Sequence, residues 1–220
     1  MTDPCPVDVV LPCLDEAAAL PHVLARLPRH YRAVVVDNGS RDGSPRVAAA
    51  CGARVVVEPR RGYGAAVHTG LNATTADIVC VIDADGSLDP ADLIALVALV
   101  ERGAAELAVG RRVPVAPGVW PWHARAGNAA LAALLRRRGA PVHDIAPVRA
   151  FRRADLLRLD VRDRAFGYPL ELLVRAAAAG WRIAERPVPY RPRIAGTRSK
   201  VSGSVRGTLR ATRDMARVLA

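Results

Sequence analysis

The sequence predicts an α/β protein with a mostly parallel central sheet flanked by helices. Short β-branched apolar runs alternate with segments whose apolar residues recur at helical spacing. No tight hairpin signal joins successive apolar runs, which favours parallel pairing. Acidic residues follow several of the predicted strands, and ligands of such sheets bind at the carboxyl ends of the strands. These acidic positions are therefore the first candidates for a functional site.

The first half of the chain shows four repeats of strand and helix. The predicted strands cover residues 7–14, 33–36, 53–57 and 78–82. The predicted helices cover residues 17–27, 44–51, 64–71 and 90–101. In the second helix, Ser44 is a candidate N-cap and Pro45 suits the first turn.

The alternation loosens in the second half. A fifth strand is predicted over residues 106–109, helices over 127–138 and 166–179, and a late strand over 183–190. Because Pro187 and Pro189 cannot donate to a strand ladder, the late strand is expected at an edge of the sheet. Residues 191–203 are rich in Arg, Gly and Ser and lack periodicity, so we expect a mobile loop.

Length and composition fit one folded domain, with 220 residues, 51% hydrophobic and 24% charged. Residues 1–203 are predicted to form this domain, and residues 204–220 a basic amphipathic helix that belongs or is appended to it. The formal charge of +11 suits a polyanion. Enrichment in arginine and alanine can equally reflect compositional bias, so the charge alone selects no partner.

The expected location is the cytoplasm. The chain has no secretory signal pattern and no apolar run of the ~18 residues that a spanning helix needs. In the tail, an apolar face adjoins a stripe of arginines, which is typical of a helix on a membrane surface. Packing against the domain explains this pattern at least as well. A peripheral position at the inner face of the membrane is compatible with both.

Asp83 and Asp85 follow the fourth strand, with Ala84 between them and Gly86 after them. Two carboxylates at this spacing can converge on Mg²⁺ or Mn²⁺, the hard cations that prefer oxygen ligands. Such a metal would neutralise a diphosphate leaving group. An ordinary polar turn explains the same residues, but their position at a strand end favours the metal site.

Two further segments suggest nucleotide binding. Asp37 ends the second strand, where a carboxylate can accept hydrogen bonds from a base or a ribose. Residues 60–66 (RRGYGAA) allow close backbone approach, and the helix start after them favours an anion. A purely structural tight turn is equally compatible. Val67 replaces the last glycine of a dinucleotide fingerprint, which argues against a dehydrogenase.

Taken in order, these motifs resemble those of family 2 glycosyltransferases of the GT-A fold, and most closely the dolichyl- and polyprenyl-phosphate sugar synthases. The resemblance covers residues 9–16, 37–40, 62–64, 83–86 and 110–112, Asp144 with residues 149–153, and the loop at 190–203. Departures from the family pattern stand at Asn38, Tyr63, Ser87 and the pair Pro147 and Val148. These departures bear on sugar and acceptor identity more than on reaction class.

The resemblance implies a role for each matching position. The nucleotide-sugar donor would be bound by Pro12, Asp15, Glu16, Asp37, Arg61, Gly62, Asp83, Ala84 and Asp85. Asp83 and Asp85 would hold the metal. Phosphate groups of donor or acceptor would be contacted by Arg112, Arg125, Arg149, Ser199 and Lys200.

The resemblance also implies direct displacement with inversion at the anomeric carbon. A polyprenyl phosphate acceptor is already anionic and can attack unaided, whereas a hydroxyl acceptor needs a base. Asp144 is the first candidate base and Glu171 the second, with Asp85 counted among the catalytic groups through the metal. A helix-surface pair with Arg175 explains Glu171 equally well.

Two other functions fit parts of the sequence. A nucleotidyltransferase would use a similar sheet, but its glycine-rich basic loop should follow the first strand, where residues 12–16 (PCLDE) stand. A non-enzymatic basic module for polyanions is the second alternative. Nucleic acid is not an expected partner, because only 4% of residues are aromatic and no helix-turn-helix pattern is present. The sequence does not define the sugar, the base or the oligomeric state.

Overall fold

A computed structural model describes residues 6–194, 213–215 and 217–218. The described strands are β1 Val7–Cys13, β2 Tyr31–Asp37, β3 Arg54–Val57, β4 Ile78–Val81, β5 Leu107–Pro114, β6 Val148–Arg152 and β7 Ile183–Tyr190. The helices are α1 Leu20–Ala25, α2 Ser44–Ala50, α3 Tyr63–Ala73, α4 Leu93–Glu101, α5 Trp122–Arg137, α6 Arg153–Arg158 and α7 Tyr168–Ala178. A 3₁₀ turn, Pro90–Asp92, precedes α4.

The strands form one mixed sheet in the order β3-β2-β1-β4-β6-β5-β7. Pairing is parallel between β1 and β2, β1 and β4, β2 and β3, and β5 and β7. Among the described strands, only β6 runs antiparallel to its two neighbours, β4 and β5. The predicted α/β class with a mostly parallel sheet is thus confirmed, as is the edge position of β7.

Strand β6 and helix α6 are not predicted by the sequence pattern. Residues 148–153 (VRAFRR) carry three arginines, which hide the apolar pattern of a strand. In the fold, residues 148–151 are all buried, because β6 lies between two other strands. The helix predicted from residue 127 begins earlier, at Trp122.

Ser44 is not the N-cap of α2, as had been predicted. It is the first helical residue, and Gly43 before it adopts a left-handed conformation at φ +83°. The Ser44 hydroxyl instead accepts a hydrogen bond from the Glu16 backbone N–H at 2.9 Å and donates to Asp42. This serine therefore ties the loop after β1 to the start of α2.

Most of the predicted loop at 191–203 and of the predicted tail helix lies outside the described residues. Residues 191–194 have no regular secondary structure, and residues 213–215 and 217–218 are helical. Within the part of the chain that is described, no helix combines the length and the apolar character that crossing a bilayer requires.

Helices cover both faces of the sheet, because side chains alternate along each strand. On β1, Val9 and Leu11 face a cluster with α1 and α4, while Val10 faces a cluster with α3 and α7. Gly70 lets α3 lie very close to the sheet, since a Cβ there would be 2.4 Å from Val10 Cγ1. The start of α3 is thereby held near the ends of β1 and β2.

Strand direction explains how the functional segments meet. The carboxyl ends of β1, β2, β4 and β5 point to one edge of the sheet, and antiparallel β6 begins at that edge. The acidic residues after β1, β2 and β4 therefore lie beside Arg112 on β5 and Arg149 on β6. We call this region the carboxyl edge.

Asp8 provides a test of the sheet's stability. Its carboxylate is 3% exposed and accepts hydrogen bonds from the backbone N–H groups of Thr75 at 2.7 Å and Ala76 at 2.9 Å, and from Arg32 at 2.7 Å. Burial raises the pKa of Asp8, but these donors outweigh burial and hold the pKa below its usual value.

We expect Asp8→Asn to lower the free energy of unfolding at pH 7 by about 1–3 kcal/mol, the usual cost of such a change in hydrogen bonding. A depressed native pKa stabilises the fold above the unfolded pKa, and that stability is lost as the pH falls through the native value. The difference between wild type and variant should therefore shrink below about pH 4. Urea unfolding followed by circular dichroism between pH 3 and 7 measures it, and a difference independent of pH would contradict this account.

Candidate active site

The segment after β4 places Asp83 and Asp85 at the carboxyl edge. Asp85 is 2% exposed. One of its oxygens accepts a hydrogen bond from the Ser87 backbone N–H at 2.8 Å, and the other lies 2.7 Å from Arg193 Nη1. Gly86, at φ +74°, makes the turn between Asp85 and Ser87. The carboxylate of Asp85 is therefore held in one orientation by two donors.

The electrostatics of Asp83 show that the acidic pair and several arginines act on one another. Burial, and then the negative charge of Asp85, raise the pKa of Asp83 to about 6. The positive charges of Arg193, Arg112 and Arg149 act in the opposite direction. The structure thus brings together residues that are up to 110 positions apart in the sequence.

These two carboxylates fit a hard divalent cation. Within the described residues there is no group of three or more His, Cys, Asp or Glu side chains that could hold a metal. Mg²⁺ and Mn²⁺ are often bound through one or two carboxylates, with water and substrate phosphates as the other ligands. Asp83 and Asp85 match that arrangement, with further ligands left to a diphosphate.

Arg112 and Asp144 form the most complete ion pair of the region. The Asp144 carboxylate accepts hydrogen bonds from Arg112 Nε at 2.8 Å, Nη2 at 2.7 Å and the backbone N–H at 2.9 Å, and from the Ala146 N–H at 3.0 Å. It is 1% exposed. Burial raises its pKa, but Arg112 more than compensates, so the pKa of Asp144 lies below its usual value.

Asp144 is therefore a poor candidate for the predicted general base. A base needs an accessible lone pair and a pKa near the working pH, and this carboxylate has neither. Its contacts support a different role, in which Asp144 fixes the direction of Arg112. The Arg112 guanidinium also stacks over the Trp120 ring at 4.0 Å, which adds a cation–π contact.

Arg149 lies inside the protein, and a phosphate arriving from solvent cannot reach it in this conformation. It is 1% exposed, its Nη2 donates to the Ile145 carbonyl, and its Nε has no partner within the described chain. The Tyr63 hydroxyl is likewise buried without a described partner. The prediction of a direct phosphate contact is corrected accordingly. Arg149 instead supplies a buried positive charge that acts on Asp83.

Glu171 is also not placed to act as a base. Its carboxylate accepts hydrogen bonds from the backbone N–H groups of Arg162 and Asp163 and pairs with Arg175 at 2.5 Å. These partners belong to α7 and to the loop before it. The alternative interpretation, a helix-surface pair with Arg175, is the one that the contacts support.

In the segment at residues 60–66, the residues around the start of α3 have a structural role. A Cβ at Gly62 would lie 2.0 Å from the Arg164 carbonyl oxygen, so glycine is needed for packing. The backbone N–H groups of Gly64 and Ala65 donate to the carbonyls of Ala165 and Arg164 at 3.0 and 2.9 Å. Because these two donors are used, the contacts support the structural tight turn, which is one of the two alternatives left open by the sequence.

Asn38 ties the loop after β2 to the loop before α3, a role that was not predicted from the sequence. Its side-chain oxygen accepts from the Gly62 N–H at 2.8 Å, and its amide nitrogen donates to the carbonyls of Glu58 and Arg60 at 2.9 and 2.8 Å. An aspartate could not donate to those carbonyls. Asparagine in place of the family's usual second aspartate is therefore explained by these two carbonyls, which require an amide donor.

The other predicted donor residues lie together at the carboxyl edge. Asp37 accepts hydrogen bonds from the backbone N–H groups of Gly39 and Ser40. The Asp15 backbone N–H donates to the Ser40 hydroxyl at 2.9 Å, and the Arg61 guanidinium donates to the Gly39 carbonyl at 3.1 Å. Pro12 is the second-to-last residue of β1, Glu16 is 6% exposed, and Ala84 is buried. Their donor contacts stay predictions, and Ser199 and Lys200 lie outside the described residues.

A cavity of about 400 Å³ opens beside Arg112. It is lined by Arg111, Arg112, Trp120, Trp122, Arg125, Ala126, Asn128, Ala129, His143 and Asp144. We call it the arginine cavity. His143 Nδ1 lies 2.9 Å from a Glu185 oxygen. Trp120, Trp122 and His143 were not predicted as site residues, although the sequence WPWH at 120–123 is an unusual aromatic cluster for this chain.

Comparison with known proteins agrees with this geometry. The family model described as glycosyl transferase family 2 matches residues 8–159. An uncharacterized glycosyltransferase of Mycobacterium tuberculosis is 58% identical over 214 residues, which cover 97% of each chain. A dolichyl-phosphate hexose transferase of Haloferax volcanii is 35% identical over 195 residues, with 86% of this chain and 85% of the relative covered.

A solved structure shares the fold. Glucosyl-3-phosphoglycerate synthase from Mycobacterium tuberculosis, in complex with Mn²⁺, UDP and glucosyl-3-phosphoglycerate, superposes with a TM-score of 0.79. The two chains are 23% identical, and the match covers 98% of this chain and 78% of the other. At this identity the likeness concerns the fold, which is that of GT-A.

The Asp144 pair gives a stability prediction. Asp144→Ala removes the buried carboxylate of this pair and leaves the partly buried Arg112 guanidinium without its partner. We expect a loss of about 3–5 kcal/mol in the free energy of unfolding. The matched control is Asp77→Ala, which breaks the exposed pair with Arg152 and should cost about 1 kcal/mol or less. Urea unfolding of the three proteins measures both. Equal losses in the two variants would show that the Asp144 pair does not anchor Arg112.

Proposed function

Because this chain belongs to glycosyl transferase family 2, we propose that it transfers a hexose from a nucleoside-diphosphate sugar to a polyprenyl phosphate, with inversion at the anomeric carbon. Mg²⁺ or Mn²⁺ would be held by Asp83 and Asp85. The family membership favours this reaction over nucleotide transfer and over a non-enzymatic role. The relative named for hexose transfer to dolichyl phosphate supports the acceptor class, and the UDP and Mn²⁺ of the solved neighbour support the donor chemistry.

The donor half of the proposal uses the charges at the carboxyl edge. In a direct displacement, the bond to the nucleoside diphosphate breaks while the acceptor oxygen attacks, so negative charge builds up on the leaving group. A bound divalent cation would neutralise part of that charge. The chain supplies the remainder from Arg112 and Arg193, whose positive charges both act on Asp83.

The observation that carries the acceptor half is the state of Asp144 in the arginine cavity. Its carboxylate is fully engaged by Arg112 and therefore does not serve as a base for a hydroxyl. An anionic phosphate needs no base. Arg111 and Arg125 line the same cavity, and guanidinium groups bind phosphate oxygens through charge-assisted hydrogen bonds.

The aromatic rim of the cavity suits the apolar part of such an acceptor. Trp122 is 81% exposed at the start of α5, and Val115 nearby in sequence is 53% exposed. Tryptophan is favoured where an apolar phase meets water. A prenyl chain leaving the cavity over Trp122 would pass along this surface, with the protein at the cytoplasmic face of a membrane.

A hydroxyl acceptor is the second candidate, and His143 is the observation that favours it. Glu185 engages His143 Nδ1, which leaves Nε2 as the ring nitrogen that can accept a proton. His143 lines the arginine cavity. The two candidates differ in one respect that can be measured, which is whether a prenol without phosphate is a substrate.

Donor binding is tested by thermal unfolding with nucleotide and metal. We expect UDP or GDP with Mn²⁺ to raise the melting temperature by about 5 °C at ~100 times the dissociation constant, because a ligand of the native state stabilises it. Metal or nucleotide alone should have a smaller effect. Asp85→Asn should abolish the added effect of Mn²⁺. No stabilisation by any nucleoside diphosphate with metal would refute the proposed donor site.

Acceptor choice is tested by transfer from a radiolabelled nucleotide sugar to a short-chain, water-soluble prenyl phosphate and to the corresponding prenol. We expect product from the phosphate alone. Arg125→Ala should lower kcat/KM for the phosphate by about 10- to 100-fold, the value of a hydrogen bond to a charged group. The matched control is Arg137→Ala, an exposed arginine at the other end of α5. Transfer to the prenol, lost in His143→Gln, would favour the second candidate instead.

A further inference from the structure

A short segment after β7 is hydrogen-bonded to the turn that carries Asp85, one of the two carboxylates proposed to hold the metal. We call residues 191–194 the strap. The Arg191 N–H donates to the Ser87 carbonyl at 2.9 Å, and the Ile194 N–H donates to the Asp85 carbonyl at 3.2 Å. Ile194 packs on Gly86, where a Cβ would lie 2.6 Å from Ile194 Cδ1. The strap therefore runs alongside the turn that carries Asp85, and both of its ends are held to that turn.

The strap places Arg193 on the carboxylate that a metal would use. Arg193 Nη1 lies 2.7 Å from Asp85 Oδ2 and 4.0 Å from Glu16 Oε1. The Arg193 side chain is 29% exposed, whereas that of Asp85 is 3% exposed. Since the other Asp85 oxygen accepts from the Ser87 N–H, each oxygen of this carboxylate already has a donor.

A metal ion that binds by itself must therefore compete with Arg193. Moving the guanidinium away from Asp85 leaves a partly buried positive charge without its carboxylate, which is unfavourable. In return the ion gains Asp83 and Asp85, since the described residues hold no group of three or more His, Cys, Asp or Glu side chains that could bind it. A nucleoside diphosphate changes this balance in two ways, because its oxygens complete the coordination of the metal and also offer Arg193 a new anionic partner.

We propose that Arg193 is a positioning residue that shields Asp85 from free metal, so that the ion is bound tightly only together with the nucleoside diphosphate. This inference rests on the proposed function for the metal and donor sites. It assigns to Arg193 a coupling between two ligands, in which each ligand raises the affinity for the other by the same factor. The motif at residues 83–86 does not by itself predict this coupling, because Arg193 lies about 110 residues further along the chain.

The test is Mn²⁺ binding to the full chain, followed through the electron paramagnetic resonance signal of free Mn²⁺. Without nucleotide, Arg193→Ala should bind Mn²⁺ at least about fivefold more tightly than wild type, at the lower end of ordinary coupling factors. With saturating UDP or GDP, wild type should tighten its Mn²⁺ affinity by a larger factor than the variant does. A gain of affinity cannot come from a damaged fold, so the first result separates coupling from structural loss.

Two further variants complete the experiment. Arg191→Ala lies in the same strap but leaves the Arg193 pair intact, and its Mn²⁺ affinity should equal that of wild type. Arg193→Met keeps the apolar stem of the side chain and replaces Arg193→Ala if the alanine variant does not fold.

The outcomes distinguish this inference from the proposed function. If wild type binds Mn²⁺ with a nucleoside diphosphate, but folded Arg193 variants bind Mn²⁺ alone no better than wild type does, the shielding role is overturned and the donor site stands. If wild type binds neither UDP nor GDP in the presence of Mn²⁺, the proposed donor site is refuted and the inference is refuted with it. Tighter binding of Mn²⁺ alone in the variants, with reduced coupling to nucleotide, supports it.

Discussion

Charge compensation at the carboxyl edge is the constraint on which the rest of the site depends. Asp85 is buried, and burial together with the negative charge of Asp85 raises the pKa of Asp83. Arg112, Arg149 and Arg193 provide the opposing charge from β5, β6 and the strap. Because these arginines come from different elements, the acidic pair is stable only when the second half of the chain is folded around it.

The antiparallel strand β6 makes this compensation possible. It lies between β4 and β5 and begins at the edge where those strands end. Asp144 precedes β6 and orients Arg112 on β5, while Arg149 on β6 pairs opposite Val81 of β4 and its positive charge acts on Asp83. A parallel strand in this place would begin at the opposite edge. One reversal of direction thus supplies both the orienting carboxylate and the buried cation.

Much of the fold was predictable, because strand and helix periodicities are local. The same holds for the position of Asp83 and Asp85 after β4. The residues whose role the sequence does not define are those that depend on distant contacts. Gly62 is required by the backbone at Arg164, and Asp144 is engaged by Arg112. Neither contact can be predicted from spacing or residue type. In the sequence, the turn at Gly62 therefore also fits an anion site, and Asp144 also fits a general base.

The position of the tryptophans has a practical consequence. The chain has three of them, and two, Trp120 and Trp122, line the arginine cavity. Trp120 is stacked against the Arg112 guanidinium, whereas Trp122 is 81% exposed to water. Occupation of the cavity would change the polarity around both rings at once. The protein therefore carries built-in fluorescence reporters for the cavity where we propose that the acceptor binds, and Trp120 also reports on Arg112 at the carboxyl edge.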